Sequence, residues 1–127
     1  MLLRVTCAII RNKNRVLVVK RSNKMNLPLK WEFPGGKIEN GESEEECIIR
    51  EIKEELSIDI QLLKKLHSSY FDYPNLSIEL IPFVANQIRG QIQLNEHVEF
   101  KYLAKDKLLD LDWAGADIPI VKEYLNL

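Results

Sequence analysis

The sequence predicts a mixed α/β (α+β) fold, one sheet of mixed strand direction with helices packed against it. Apolar, β-branched runs stand both before and after a central stretch of helical periodicity. The 127 residues suffice for one core and not for two. Hydrophobic residues at 46% and charged residues at 29% are an ordinary globular balance. Residues 1–127 are therefore read as a single domain.

In chain order, residues 3–10 are rich in Val, Ile and Leu and read as a strand. "RNKNR" at 11–15 is turn chemistry, and "VLVVKR" at 16–21 returns as a second strand, which makes a hairpin. Residues 22–30 form a polar loop containing Pro28, "WEF" at 31–33 is a short aromatic segment, and "PGG" at 34–36 reads as a backbone turn. Ser43 followed by Glu46 has capping-box spacing and opens a helix that runs to about Leu56. Strands are expected at about 62–73 and 77–89, separated by a Pro74-Asn75 turn, and another near 99–103. A short helical turn follows near Lys105–Leu108. A closing helix opens near Pro119, since proline is tolerated in a first turn. Repeats, linkers and low-complexity segments are missing from the pattern.

Composition excludes several function classes. A formal net charge of -1 lacks the basic excess of a nucleic-acid-binding surface, so stable nucleic-acid binding is not expected. No apolar run has the length of a membrane span. The first residues lack the basic-then-apolar order of a signal peptide, so a cytoplasmic location is expected. Cys7 and Cys47 sit in apolar patterns outside any C-x-x-C and read as buried free thiols. Monomer and homodimer are both compatible with this composition.

The informative feature is a concentration of acid. Glu39, Glu42, Glu44, Glu45, Glu46, Glu51, Glu54 and Glu55 are eight of the 19 acidic residues. On a helical wheel Ile48, Ile49, Ile52 and Leu56 fill one arc, and Glu51, Glu54 and Glu55 fill the next at i, i+3 and i+4 spacing. Like-charge pairs at that spacing each destabilise a helix by ~0.2–0.5 kcal/mol. Arg50 and Lys53 project away from this arc on the wheel, so no basic residue relieves it. Glu55 borders the apolar arc and should be partly buried, where an unpaired charge is costlier. The upstream glycines bring backbone carbonyls near. A hard divalent cation, Mg²⁺ or Mn²⁺, which prefers carboxylate and carbonyl oxygens and often also binds substrate phosphates, would offset all of this; a solvated acidic face is the alternative.

The stretch Gly36-x5-Glu42-x7-Arg50-Glu51-Ile52-x-Glu54-Glu55-x-Ser57-Ile58, residues 36–58, resembles the Nudix box, in which every charged position is matched. Ser57 stands where the family has glycine, a departure that bears on the helix cap and not on the chemistry. The resemblance extends over nearly the whole chain and, through "WEFPGGKIENGE", is nearest to the MutT-like branch. It implies an α/β/α sandwich and a hydrolase acting on phosphoric anhydride bonds of nucleotides with Mg²⁺ or Mn²⁺. Carried over residue by residue, Glu51, Glu54, Glu55 and Glu96 match metal-binding glutamates, and Gly35 in the Gly35-Gly36 turn matches a carbonyl ligand. Arg50 matches the arginine that orients a catalytic glutamate. Glu51, Glu54 and Glu96 remain equal candidates for the base.

The same resemblance assigns Arg21 and Asp117 to a small-molecule nucleotide substrate; Glu32, Phe33 as an aromatic to flank the base, and Lys37, which follows the glycines and faces either phosphate or solvent, are further candidates for it. Asp117 stands where the branch has an asparagine that reads the base; its other reading is the N-cap of the closing helix, and one carboxylate can serve both. Phe71, Tyr73 and Trp113 are further aromatics available to a base, and His97 reads as structural or supporting. The implied reaction converts a nucleoside triphosphate, such as 8-oxo-dGTP, to the monophosphate and pyrophosphate, which would cleanse the nucleotide pool in the service of DNA repair. Modified dCTP or CTP, an ADP-ribose-type dinucleotide, and a nucleotide-sensing module without catalysis are the alternatives.

Overall fold

The structure, a computed structural model, describes residues 2–127. Its architecture follows from the two-sided burial of the first strand, β1 (Leu2–Asn12). Cys7 and Ile9 enter one apolar cluster while Ala8 and Ile10 enter another, so the sheet needs cover on both faces. The second strand, β2 (Arg15–Lys20), alternates likewise, with Val16 and Val18 on one side and Leu17 and Val19 on the other. The turn between them has Lys13 at φ 52 and Asn14 at φ 65 between paired Asn12 and Arg15, the positive-φ pair that suits a tight hairpin.

β3 (Trp31–Glu32) pairs with β2, and β4 (Gly35–Lys37) pairs with β1. The helix α1 (Glu44–Leu56) follows, with the reciprocal bonds of a capping box between Ser43 and Glu46. Ile48, Ile52 and Leu56 press it onto one face of the sheet. Ile49, expected on the same arc, is 45% exposed: an i+1 neighbour is rotated about 100° from Ile48 and falls at the stripe's margin. Ser57 closes the helix at φ 61, taking the left-handed position itself, with its N–H donating to Lys53 O at 3.0 Å.

β5 (Asp59–Lys65), β6 (Ser69–Tyr73) and β7 (Leu76–Arg89) complete the far side. The single strand expected over 62–73 is thus two strands, both laid against the 14-residue β7. The break falls opposite Pro82, which has no N–H to give the ladder; only its carbonyl is used, by Leu66 N–H at 2.9 Å. β8 (Glu99–Ala104) pairs with β2, a 3₁₀ turn spans Lys105–Asp110, and α2 (Ile118–Leu125) carries Pro119 in its first turn. Ile120, Val121 and Tyr124 of α2 cover the second face.

The path β3-β2-β1-β7-β5 runs through an eight-stranded sheet in which β1 and β7 are parallel and the other pairings antiparallel. The result is three layers, α1, mixed sheet and α2, as the fold class anticipates. β1's second edge forks: Arg11 and Asn12 pair with β2, whereas Val5 to Cys7 pair with β4. Both cysteines are free and buried. Among the described residues no helix is long and apolar enough to cross a membrane.

Candidate active site

A cleft of about 560 Å³ opens beside the β1–β4 pairing, lined among others by Arg21, Glu32, Phe33, Lys37, Glu55, Tyr73, His97 and Asp117. Its floor depends on the two glycines read as a turn. They form extended strand instead, paired as Thr6↔Gly36 and Cys7↔Gly35. A Cβ on Gly35 would stand 1.9 Å from Thr6 O, and one on Gly36 would stand 2.2 Å from Glu51 Cδ. The glycines are therefore required by close approach, of backbone in the first case and of a carboxylate in the second. The Thr6 hydroxyl donates to Gly36 O at 3.2 Å, which fixes the strand beside α1.

The acidic arc has a cation after all. Arg50, expected to project elsewhere, swings its long side chain back over the arc. Its NH1 lies 2.9 Å from Glu51 Oε1 and 3.1 Å from Glu54 Oε2. Its Nε and NH2 grip both oxygens of Glu42, at 2.5 and 2.8 Å, and Glu39 lies 3.4 Å away. That fork holds the Glu42 carboxyl down at about 2. A wheel places Cα directions, and four flexible bonds let arginine reach across neighbouring arcs.

Glu55 is outside the grip of Arg50. Its Oε2 is buried without a hydrogen-bond partner, and its carboxyl is pushed up to about 9 by burial first, then by the fields of Glu51, Glu96 and Glu32. Burial of Glu55, expected from the wheel, is what the structure has. Glu54 is the most solvated of the three, its side chain 61% exposed against 15% for Glu51. Among the described residues no three acidic, histidine or cysteine side chains already stand at metal-binding spacing. The donor set nonetheless suits a hard divalent cation: only oxygens, an orphaned buried carboxylate oxygen, and a Gly36 that leaves room beside Glu51. Arg50 supplies counter-charge to Glu51 and Glu54.

The opposite wall of the cleft is organised by a second arginine. Arg21 NH1 bonds Glu32 Oε1 at 2.8 Å and its Nε donates to Asn26 O. Glu32 Oε2 meets His97 Nε2 at 2.8 Å, and His97 Nδ1 is buried without a partner. Asp117, also buried, accepts from the Phe33 N–H at 2.9 Å through Oδ2. It makes no side-chain cap on α2: its φ of -80 and ψ of -22 are already helical, whereas a cap residue needs extended backbone. Burial and the nearby Glu32 carboxylate push its carboxyl well above the usual range. Phe33 packs on Trp113 with ring centroids 4.8 Å apart, and the Tyr73 hydroxyl accepts from Ala116 N–H at 3.2 Å. Lys37 lines the cleft from the exposed end of β4.

Of the residues singled out from sequence, Arg21, Glu32, Phe33, Gly35, Lys37, Glu55, Tyr73, His97 and Asp117 line this cleft; Arg50, Glu51, Glu54, Phe71, Glu96 and Trp113 do not. Glu96 is exposed, yet its field reaches Glu55. Asn95 was missed. Its N–H donates to Glu55 O at 3.3 Å and its Nδ2 to Glu54 O at 2.5 Å, which satisfies carbonyls left open at the end of α1. The contact spans 41 residues of sequence, so no local spacing announces it.

A NUDIX domain model matches residues 1–124. The CTP pyrophosphohydrolase of Escherichia coli K12 is 28% identical over 126 residues, covering 99% of this chain and 93% of that protein. The 8-oxo-dGTP diphosphatase of the same organism is 28% identical over 98% of each chain. The solution structure of a protein described as DNA mismatch repair protein MutT, from methicillin-resistant Staphylococcus aureus 252, superposes with a TM-score of 0.81 at 36% identity. It covers 99% of this chain and 97% of that one.

Proposed function

Because the chain belongs to the NUDIX domain family, hydrolases acting on phosphoric anhydride bonds, we propose that it is a Mg²⁺- or Mn²⁺-dependent nucleoside triphosphate pyrophosphohydrolase. On this reading it works as one domain in the cytoplasm, taking oxidised deoxynucleotides such as 8-oxo-dGTP to the monophosphate and pyrophosphate. The observation that carries the reading is Glu55, a buried carboxyl with an unpartnered oxygen, in a cleft whose other wall offers Arg21, Phe33 and Asp117.

Glu51, Glu54, Glu55, Glu96 and the Gly35 carbonyl would hold the cation. Bound there, a divalent ion supplies positive charge to the phosphates and acidifies the attacking water. Water attacks the β-phosphorus, the bond from that phosphorus to the oxygen bridging to the α-phosphate breaks, and the nucleoside monophosphate departs. The attacking water's proton passes to a glutamate. Glu54 is the most solvated of the candidates on α1, and Arg50 at 3.1 Å orients it. Arg21 and Lys37 are the cations near the triphosphate, and Phe33 flanks the base. Burial pushes the Asp117 carboxyl upward, towards the neutral form, in which it would present a donor as well as an acceptor.

Pyrophosphate release from 8-oxo-dGTP, dGTP, CTP and 5-methyl-dCTP, and AMP release from ADP-ribose, each with and without Mg²⁺, tests this. The expected result is metal-dependent release with 8-oxo-dGTP at least about ten times better than dGTP in kcat/KM. Equal rates for the two would remove the oxidised-purine reading. Faster turnover of CTP would install the second reading, a cytidine triphosphate pyrophosphohydrolase, which the similarity to the E. coli CTP enzyme favours.

A further inference from the structure

We propose that Asn95 and His97 are positioning residues that hold Glu96 over Glu55, and that His97 ties this hold to the nucleotide wall through Glu32. The proposal rests on the reading of Glu96 as a reacting carboxylate. Glu96 sits in the irregular link between β7 and β8, and its own side chain makes no hydrogen bond among the described residues. Its neighbours are fastened on both sides. Towards α1, Gln93 N–H donates to Leu56 O at 3.0 Å, and Asn95 donates twice, to Glu55 O and Glu54 O. Towards the sheet, Val98 N–H donates to Lys20 O at 3.0 Å, and the His97 imidazole, 2% exposed, meets Glu32 at 2.8 Å.

Electrostatics explains why such fastening is needed. Glu32, Glu51, Glu55 and Glu96 surround one region, and a free link would carry Glu96 away from like charges. Attraction cannot hold it there before a cation arrives. The tether is instead made by groups that address other atoms: an amide on helix-end carbonyls and an imidazole on a carboxylate already paired with Arg21. Nε2 faces the Glu32 oxygen and so is the nitrogen that donates.

A plain packing role for both residues is separable by a double-mutant cycle on the best triphosphate with Mg²⁺. His97→Leu should lower kcat about 10-fold with KM changed less than about 3-fold, and His97→Gln, which returns an N–H donor, should recover most of it. In a Glu96→Gln background, His97→Leu should cost less than about 2-fold more, because it acts through Glu96. Amide hydrogen exchange on the ligand-free protein should show faster exchange at Asn95 in His97→Leu. An equal loss in both backgrounds overturns the proposal and leaves the reading of Glu96 intact. A Glu96→Gln enzyme at full rate removes Glu96 from the reaction and the proposal with it. Should His97→Leu not fold, Asn95→Ala enters the same cycle with the same two outcomes.

Discussion

Two arginines, Arg50 on α1 and Arg21 in the cleft, keep different company. Arg50 lies within ion-pair distance of Glu39, Glu42, Glu51 and Glu54, with Glu55 unpaired beyond them. Arg21 has one carboxylate partner, Glu32, whose second oxygen is taken by His97; Asp117 nearby is bonded to a backbone N–H. One guanidinium cannot neutralise four carboxylates, so the first cluster keeps an excess of negative charge, which the proposed cation would offset. The second is paired except at His97 Nδ1, which is buried without a partner. On the proposed function, the difference assigns the surplus of charge to a metal and the largely paired wall to a base or sugar.

The largest test of that contrast is Glu54→Gln. It preserves shape and deletes charge, so turnover should fall by about 10²–10⁴ while the melting temperature holds or rises. A near-full rate on the best substrate sinks the assignment. Arg50→Met attacks the same cluster from the other side. Without metal the variant should lose about 1–3 kcal/mol, read by thermal denaturation, because several part-buried carboxylates lose their donor. Mg²⁺ should then raise its melting temperature more than it raises that of the parent protein; an equal rise would mean that Arg50 and the cation do not share a task.

pH sharpens the contrast further. The Glu55 carboxyl is held at about 9 in the folded protein against an ordinary 4.5. Folding therefore retains a proton that the unfolded chain gives up, and the stability this confers is full below about 4.5 and is lost progressively up to about 9. Metal-free protein should melt lower at pH 8.5 than at pH 5.5. Glu55→Gln should flatten that slope, and saturating Mg²⁺ should remove it by favouring the charged form. A pH-independent melting temperature in the metal-free parent contradicts the burial argument. The smallest effect is expected on the other wall, where Arg21→Met should raise KM about 10-fold and leave kcat within about 3-fold. A loss confined to kcat would move Arg21 from binding to chemistry.

Much of this was legible in the chain because it is local. The hairpin turn at 11–15, the Ser43–Glu46 capping box and the burial of Glu55 each follow from residues within a turn or two of one another. What was not legible depends on distant approach. Gly35 and Gly36 read as a turn, since turn and tight strand contact demand glycine alike; only the position of Thr6 and Glu51 tells which. Asp117 looked like a cap until Phe33, 84 residues earlier, took its oxygen. Arg50 was misplaced by a method that knows where Cα–Cβ bonds point and not how far a side chain bends.

The interruption opposite Pro82 also has a bearing on life in a crowded solution. Without it, β5 and β6 would join into one long, straight margin of unpaired backbone groups, the kind of template on which another molecule's strand can stack. Split in two and studded on one half with the exposed Lys64 and Lys65, the margin offers no long register to a partner chain. A single proline in β7 thereby keeps that margin short.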